Sequence, residues 1–217
     1  MAVTAPLVPA SSRADQIIAA TRALFVRYGY RRTSVDDIAR EAGVAKATLY
    51  LHFSGKEEMF REMIARFQRF QEERCAAAEA MDAPVEARVI ALIDAAYGTT
   101  LEWFENTAHI EELRTVAVQE IALPVDESAR QLGRRLARMI ERAEDAGELR
   151  PPAVGRSPQE VARVLLFAAY GAKHATDATL AGFRAALPGI VRLILGGLIL
   201  DGPIHDGMTT SATEDAT

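Results

Sequence analysis

The stretch Ser34-Val35-Asp36-Asp37-Ile38-Ala39-Arg40-Glu41-Ala42-Gly43-Val44-Ala45-Lys46-Ala47-Thr48-Leu49-Tyr50-Leu51-His52-Phe53 decides how this chain is read. Ser34 followed three residues later by Asp37 is close to an N-terminal capping box, and the acidic pair suits the positive end of a helix dipole. Val35, Ile38, Ala39 and Ala42 fall three and four apart, one apolar face that stops at Gly43. Glycine most readily takes the left-handed conformation at a helix end. Apolar residues resume at Val44, Leu49 and Phe53, which predicts a second short helix about three residues on. Two short helices joined by a glycine-containing turn make a helix-turn-helix.

The second helix turns Lys46, Thr48, Tyr50 and His52 away from its apolar side, and nearly all of them are hydrogen-bond donors. A helix that reads a duplex carries donors for phosphate oxygens and base edges while keeping an anchoring face apolar. This helix meets both demands.

Gly29-Tyr30, Thr33-Ser34-Val35, Ile38-Ala39, Gly43-Val44, Thr48-Leu49-Tyr50, His52-Phe53 and Lys56-Glu57 together resemble the N-terminal signature of the TetR family of bacterial transcriptional regulators. The likeness runs from Arg13 to roughly Ala77. It implies a dimeric, all-helical repressor with an N-terminal three-helix DNA-binding unit and a larger C-terminal part that binds a small effector. On matching positions it points to DNA contacts from Thr33, Ser34, Lys46, Ala47, Thr48, Tyr50, Leu51, His52 and Lys56. Tyr50 and Lys56 are assigned to phosphates, Thr48 and Lys46 to bases or phosphates. Many members carry Gly where this chain has Ala47 and a second Tyr where it has Leu51, so one expected hydroxyl is missing. Leu51 is left either to touch a thymine methyl or to pack.

Composition fits this picture without demanding it. A chain of 217 residues, 49% hydrophobic and 25% charged, is an ordinary globular sequence with one or two cores. Net charge is −5, but up to Phe60 there are eight Lys or Arg against six Asp or Glu, and 17 against 24 beyond it. A slightly basic head on an acidic body suits local phosphate contact. The single cysteine, Cys75, excludes an internal disulfide and reads as a buried thiol in a reducing compartment. With no signal-peptide pattern, and with the apolar run 190–200 broken by Arg192 and Gly196-Gly197, a cytoplasmic protein without a membrane span is expected.

Taken in order, residues 1–11 are expected to be a disordered arm, 12–55 the DNA-binding domain, 56–200 a helical effector-binding and dimerisation domain, and 201–217 a disordered tail. Helices are expected over 12–28, 56–81, 84–106, 107–123, 126–146, 158–175 and 180–200, with Pro188 kinking or dividing the last. The last two are apolar on more than one face, and the resemblance places the bundle of a homodimer there. The arrangement is all-α, without repeats or a phosphate-binding glycine loop.

An effector pocket should lie among the middle helices, apolar with a few polar groups. Tyr97, Trp103, Phe104, His109, Glu112, Tyr170, Lys173 and His174 are its candidates, for a small, largely apolar effector. His109 with Glu112, and His174 with Asp177, have helical spacing, but two ligands fall short of a metal site. No nucleophile, base and orienter group together, so neither catalytic residues nor a cofactor is assigned. The expectation is a repressor that binds a palindromic operator and is released by its effector; the alternative is an all-helical small-molecule binding protein or enzyme without a DNA-binding role.

Overall fold

The computed structural model describes residues 12–104, 108–121, 125–149, 157–175 and 179–196. The expected arm 1–11, the tail 201–217 and Asp177 lie outside them. The helices are α1 (Arg13–Tyr28), α2 (Val35–Glu41), α3 (Lys46–His52), α4 (Lys56–Glu79), α5 (Val85–Ile93), α6 (Thr99–Phe104), α7 (Ile110–Ile121), α8 (Val125–Asp145), α9 (Pro158–Lys173) and α10 (Leu180–Leu195). A π-helical turn, Asp94–Gly98, joins α5 to α6.

Local chemistry sets the starts and stops. Ser12 with Asp15, Ser34 with Asp37 and Ser157 with Glu160 form reciprocal capping boxes at α1, α2 and α9, each satisfying backbone donors that a helix start leaves open. Gly29 closes α1 at φ 84° and Gly43 follows α2 at φ 65°, conformations a side chain would strain. The turn after Gly43 is pinned by the Val44 N–H, which donates to the Ala39 carbonyl at 3.0 Å.

Two apolar clusters organise the chain. The first gathers Ile17 and Phe25 of α1, Ile38 of α2, Leu49 of α3, and Met59, Phe60 and Met63 of α4, and continues into Trp103, Phe104, Leu113 and Val116. The helix-turn-helix therefore rests on α4, α6 and α7, and its core does not stop at residue 55. The second gathers Val89, Leu92, Leu136, Ile140, Leu165, Phe183 and Val191 from α5, α8, α9 and α10, with Cys75 and Ala78 from the far end of α4. Helix α4 spans both; its 24 residues reach about 36 Å at the helical rise.

Three expectations need correction. The helix expected over 84–106 is interrupted, because the Thr99 N–H reaches back five residues to the Asp94 carbonyl. The Ala96 carbonyl accepts instead from Gln71 Nε2 at 2.8 Å and Thr100 Oγ1 at 2.9 Å. Pro188 does not divide α10: the helix passes through it, losing one backbone donor without breaking. In the first helix the three-four series Ile17, Ile18, Thr21, Leu24, Phe25 and Tyr28 is expected to pack inward, but Tyr28 is 44% exposed at the end of α1.

Candidate functional site

Helix α3 is anchored by Leu49, fully buried, and by Phe53 just past its end, 7% exposed. Residues four apart share a helix face. The opposite face presents Lys46, Ala47, Tyr50, Leu51 and His52 to solvent, with Thr48 half-buried at its border. Leu51 is 84% exposed, which removes packing within its own subunit as an explanation for an apolar residue there. Lys46 Nζ pairs with Asp36 at 2.8 Å, both side chains open to water. That hydrogen bond raises the Lys46 pKa and keeps it charged. Water screens such a pair, so the pair holds the lysine loosely.

The loop before α2 is built differently from expectation. Thr33, expected to touch DNA, is 3% exposed, and its hydroxyl donates to the Gly29 carbonyl at 2.8 Å, so the side chain faces the core. Ser34 is at the surface but occupied as a cap: its hydroxyl donates to Asp37 Oδ2 at 2.6 Å and accepts from the Asp37 N–H at 3.2 Å. Lys56, expected at a phosphate, turns its ammonium onto the loop. Its Nζ donates to the carbonyls of Tyr30 at 3.0 Å and Thr33 at 3.1 Å and stands 4.3 Å from the Tyr30 ring centroid. Burial lowers its pKa. Two of its three donors are thus spent on bracing the turn. Arg31 and Arg32 beside it are exposed.

A second site lies in the body: a cavity of about 520 Å³ walled by α4, the π turn, α6, α7, α8 and α9. Ile64, Phe67, Leu101, Phe104, Leu113, Ala117 and Leu132 supply apolar wall, and Gln68, Gln71, Arg114, Gln131, Arg135 and Lys173 supply polar groups. The volume and the mixture are those of a small-molecule site. Five of the eight expected residues line it: Tyr97, Phe104, Tyr170, Lys173 and His174. Tyr170 meets Tyr97 edge-on at 6.3 Å and His174 at 4.2 Å between ring centroids.

Trp103, His109 and Glu112 do not line the cavity. Trp103 is 4% exposed in the first cluster, where Arg22 Nε donates to its carbonyl at 2.9 Å and the Arg22 guanidinium lies 5.4 Å from its ring. Glu112 faces the head, accepting from the Arg31 N–H at 2.8 Å, and His109 Nδ1 lies 3.7 Å from its other oxygen. The Glu112 carboxylate is so close to Gly29 that a Cβ there would fall 2.4 Å from it. Neighbours along α7 point about 100° apart around the axis. Arg114 and Leu113 therefore reach the cavity while Glu112 reaches the loop.

Charge on the cavity wall is mostly paired. Arg135, 7% exposed, donates from Nε and Nη2 to the two oxygens of Glu79 at 3.0 and 2.9 Å and from Nη1 to Glu72 at 2.6 Å. The Glu79 pKa is lowered by its hydrogen bond to Arg135, and the Arg135 pKa is raised in turn. Burial pushes the Cys75 thiol up to about 11, which makes it an inert wall residue. Burial, with Arg114 adding repulsion, brings Lys173 down to about 8. Burial also lowers the His174 pKa, with Lys173 next to it contributing.

Residues 17–63 match the family model described as "Bacterial regulatory proteins, tetR family". Over this segment the chain is similar to the TetR family. The chain is 28% identical over 122 residues to an uncharacterized HTH-type transcriptional regulator, YhgD of Bacillus subtilis, a match covering 54% of this chain and 62% of that protein. It is 39% identical over 67 residues to the HTH-type transcriptional repressor KstR2 of Mycolicibacterium smegmatis, covering 31% of this chain and 32% of that one. Both matches span less than two thirds of the relative's length. The structure of ketosteroid transcriptional regulator KstR2 of Mycobacterium tuberculosis superposes with a TM-score of 0.62 at 20% identity, covering 91% of this chain and 99% of that one. The whole described chain therefore has a TetR-like fold, with the helix-turn-helix at one end and a helical body beyond it.

The residues that sequence reasoning missed are the polar wall of the cavity. Gln71, Arg114, Gln131 and Arg135 sit at helix positions that look like a solvated face in one dimension. The one available hint was periodicity: Gln68, Gln71, Glu72 and Cys75 follow Phe67 at three-four spacing along α4. Among the described residues, no group of three or more His, Cys, Asp or Glu is placed to hold a metal ion, and no helix is long and apolar enough to cross a membrane.

Proposed function

We propose that this chain is a DNA-binding transcriptional regulator, a repressor that grips a palindromic operator as a homodimer and lets go when a small, largely apolar effector fills the body cavity. The solvent face of α3 carries the proposal. Lys46, Thr48, Tyr50, Leu51 and His52 stand on a rigid apolar anchor with Arg31 and Arg32 exposed nearby. Tyr50 and the arginines suit phosphates, Lys46 and Thr48 bases or phosphates, and Leu51 the methyl group of thymine. Lys56 serves by fixing the loop, with its third proton open to a phosphate.

Dimerisation is assigned to α9 and α10, where Val164, Phe167 and Leu193 are exposed at 37%, 70% and 87%. A second copy would cover these side chains and set two recognition helices on the order of 34 to 36 Å apart, one duplex turn. A ligand weakens DNA binding only by preferring another spacing. The route for that preference runs through α4 and α7. Both line the cavity, and Lys56 of α4 and Glu112 of α7 both hold the loop 29–33.

Footprinting on the DNA flanking the chain's own gene, followed by affinity measured against salt, tests the proposal. The expected result is a protected inverted repeat whose affinity falls steeply with salt, and a slope reduced by about one in Lys46→Ala. No protected site, or binding indifferent to salt, would overturn it.

A further inference from the structure

We infer that the cavity selects an amphipathic monocarboxylate: an apolar body ended by one acid group, seated with that group against Lys173. This inference rests on the effector reading above and names the chemistry of its ligand.

The argument is one of charge matching. Glu72 and Glu111 on the wall face Arg114, Arg135 and Lys173. Arg135 is shared by Glu72 at 2.6 Å and Glu79 at 2.9 Å, and Arg114 Nη1 meets Glu111 at 3.2 Å, so the two arginines hold all of these carboxylates. Lys173 is the remainder. Among the described residues no carboxylate pairs with it; its ammonium rests 5.1 Å from the Tyr97 ring centroid. Tyr170 and His174 complete that corner, and burial, with Lys173 and Arg114 beside it, lowers the His174 pKa and disfavours a second charge there. A cation on an aromatic face, short of water and of a counter-ion, is the least satisfied group on the wall; burial already brings it down to about 8. An incoming carboxylate supplies the missing partner and favours its charged form.

Other ligand classes do worse on the same wall. A cationic ligand meets Lys173 with like charge and finds both carboxylates already engaged by arginines. A neutral one leaves the ammonium unpaired. A dicarboxylate brings one negative charge too many for a single open cation. The body must be apolar, because Phe67, Leu101, Phe104, Leu113 and Leu132 line the remaining wall.

The probe is a matched set of ten-carbon chains: decanoate, 1-decanol and decylammonium, with affinities measured by calorimetry on the full chain. Decanoate should bind wild type at least ten-fold tighter than decanol, with decylammonium weakest. The preference for acid over alcohol should vanish in Lys173→Met and persist in Lys173→Arg. Equal affinity of acid and alcohol for wild type overturns the inference without any variant, as does an acid preference that survives in a folded Lys173→Met protein. Operator binding, measured on the same preparations, separates the two proposals. A chain that binds its operator but shows no acid preference loses only this inference. A chain that prefers the acid but binds no operator loses the regulator reading and keeps this one.

Discussion

The outward face of α3 and the wall of the body cavity both carry charge, and they carry it in opposite ways. Lys46 and Asp36 pair in open water, with side chains 51% and 60% exposed, so solvent screens them and either can be given up to a new partner. Arg135 is withdrawn from water with a fork of carboxylates around it, so its charge is structural and cannot be released cheaply. The α3 face keeps its ions solvated. The cavity wall engages its arginines with carboxylates and leaves Lys173 without a carboxylate among the described residues.

The strongest way to break this contrast is to attack what the two regions share. Phe60 is fully buried in the cluster that joins the helix-turn-helix to α4, between Phe25 and Tyr30 at ring distances of 5.8 and 5.3 Å. Phe60→Ala should cost about 3 to 5 kcal/mol in denaturant unfolding, with the loss of DNA binding following from it. If ligand binding in the cavity also disappears under conditions where the body stays folded, the two regions are one unit and the contrast fails.

A smaller effect sharpens it. Arg135→Leu removes the partner of Glu79 and should lower stability by about 1 to 3 kcal/mol at neutral pH. Glu79 has a lowered pKa in the folded chain, so its pairing stabilises above the unfolded carboxylate value and is lost as pH falls through the folded value. Unfolding followed from pH 7 downward should therefore show a flatter acid limb in Arg135→Leu than in wild type. An unchanged limb would mean the fork carries no stability.

The smallest stability effect belongs to the DNA face. Leu51→Ala should change stability by no more than about 0.5 kcal/mol, since the side chain touches little, and should alter preference at one base-pair position in operator selection. Any larger loss of stability would show that Leu51 packs after all.

Much of the head was legible because its information is local. A serine three before an aspartate, a glycine after four apolar residues and a basic, hydroxyl-rich face within seven residues all lie inside one short window, and the structure keeps them there. Thr33 and Lys56 escaped because a threonine or lysine looks polar in sequence whether its donors face water or carbonyls. The body was legible as helices but not as a cavity: its wall runs from Ile64 to His174, and only packing brings those turns together. Trp103 was misplaced for the same reason, since an aromatic at the right helical spacing says nothing of which of two cores it joins. The π turn was invisible, because no residue type marks the fifth-residue hydrogen bond.

That turn has a further consequence. A π turn is a helix carrying one residue more than its ladder requires. Removing a single residue between Ala95 and Gly98 would let ordinary winding resume with α6 kept near its present face, because the turn absorbs the extra residue; what would be lost is the open Ala96 carbonyl that Gln71 Nε2 now reaches at 2.8 Å. Gln71 also lines the cavity, so chain length at this one place, rather than the identity of any side chain, decides whether α4 keeps its tie to the turn there.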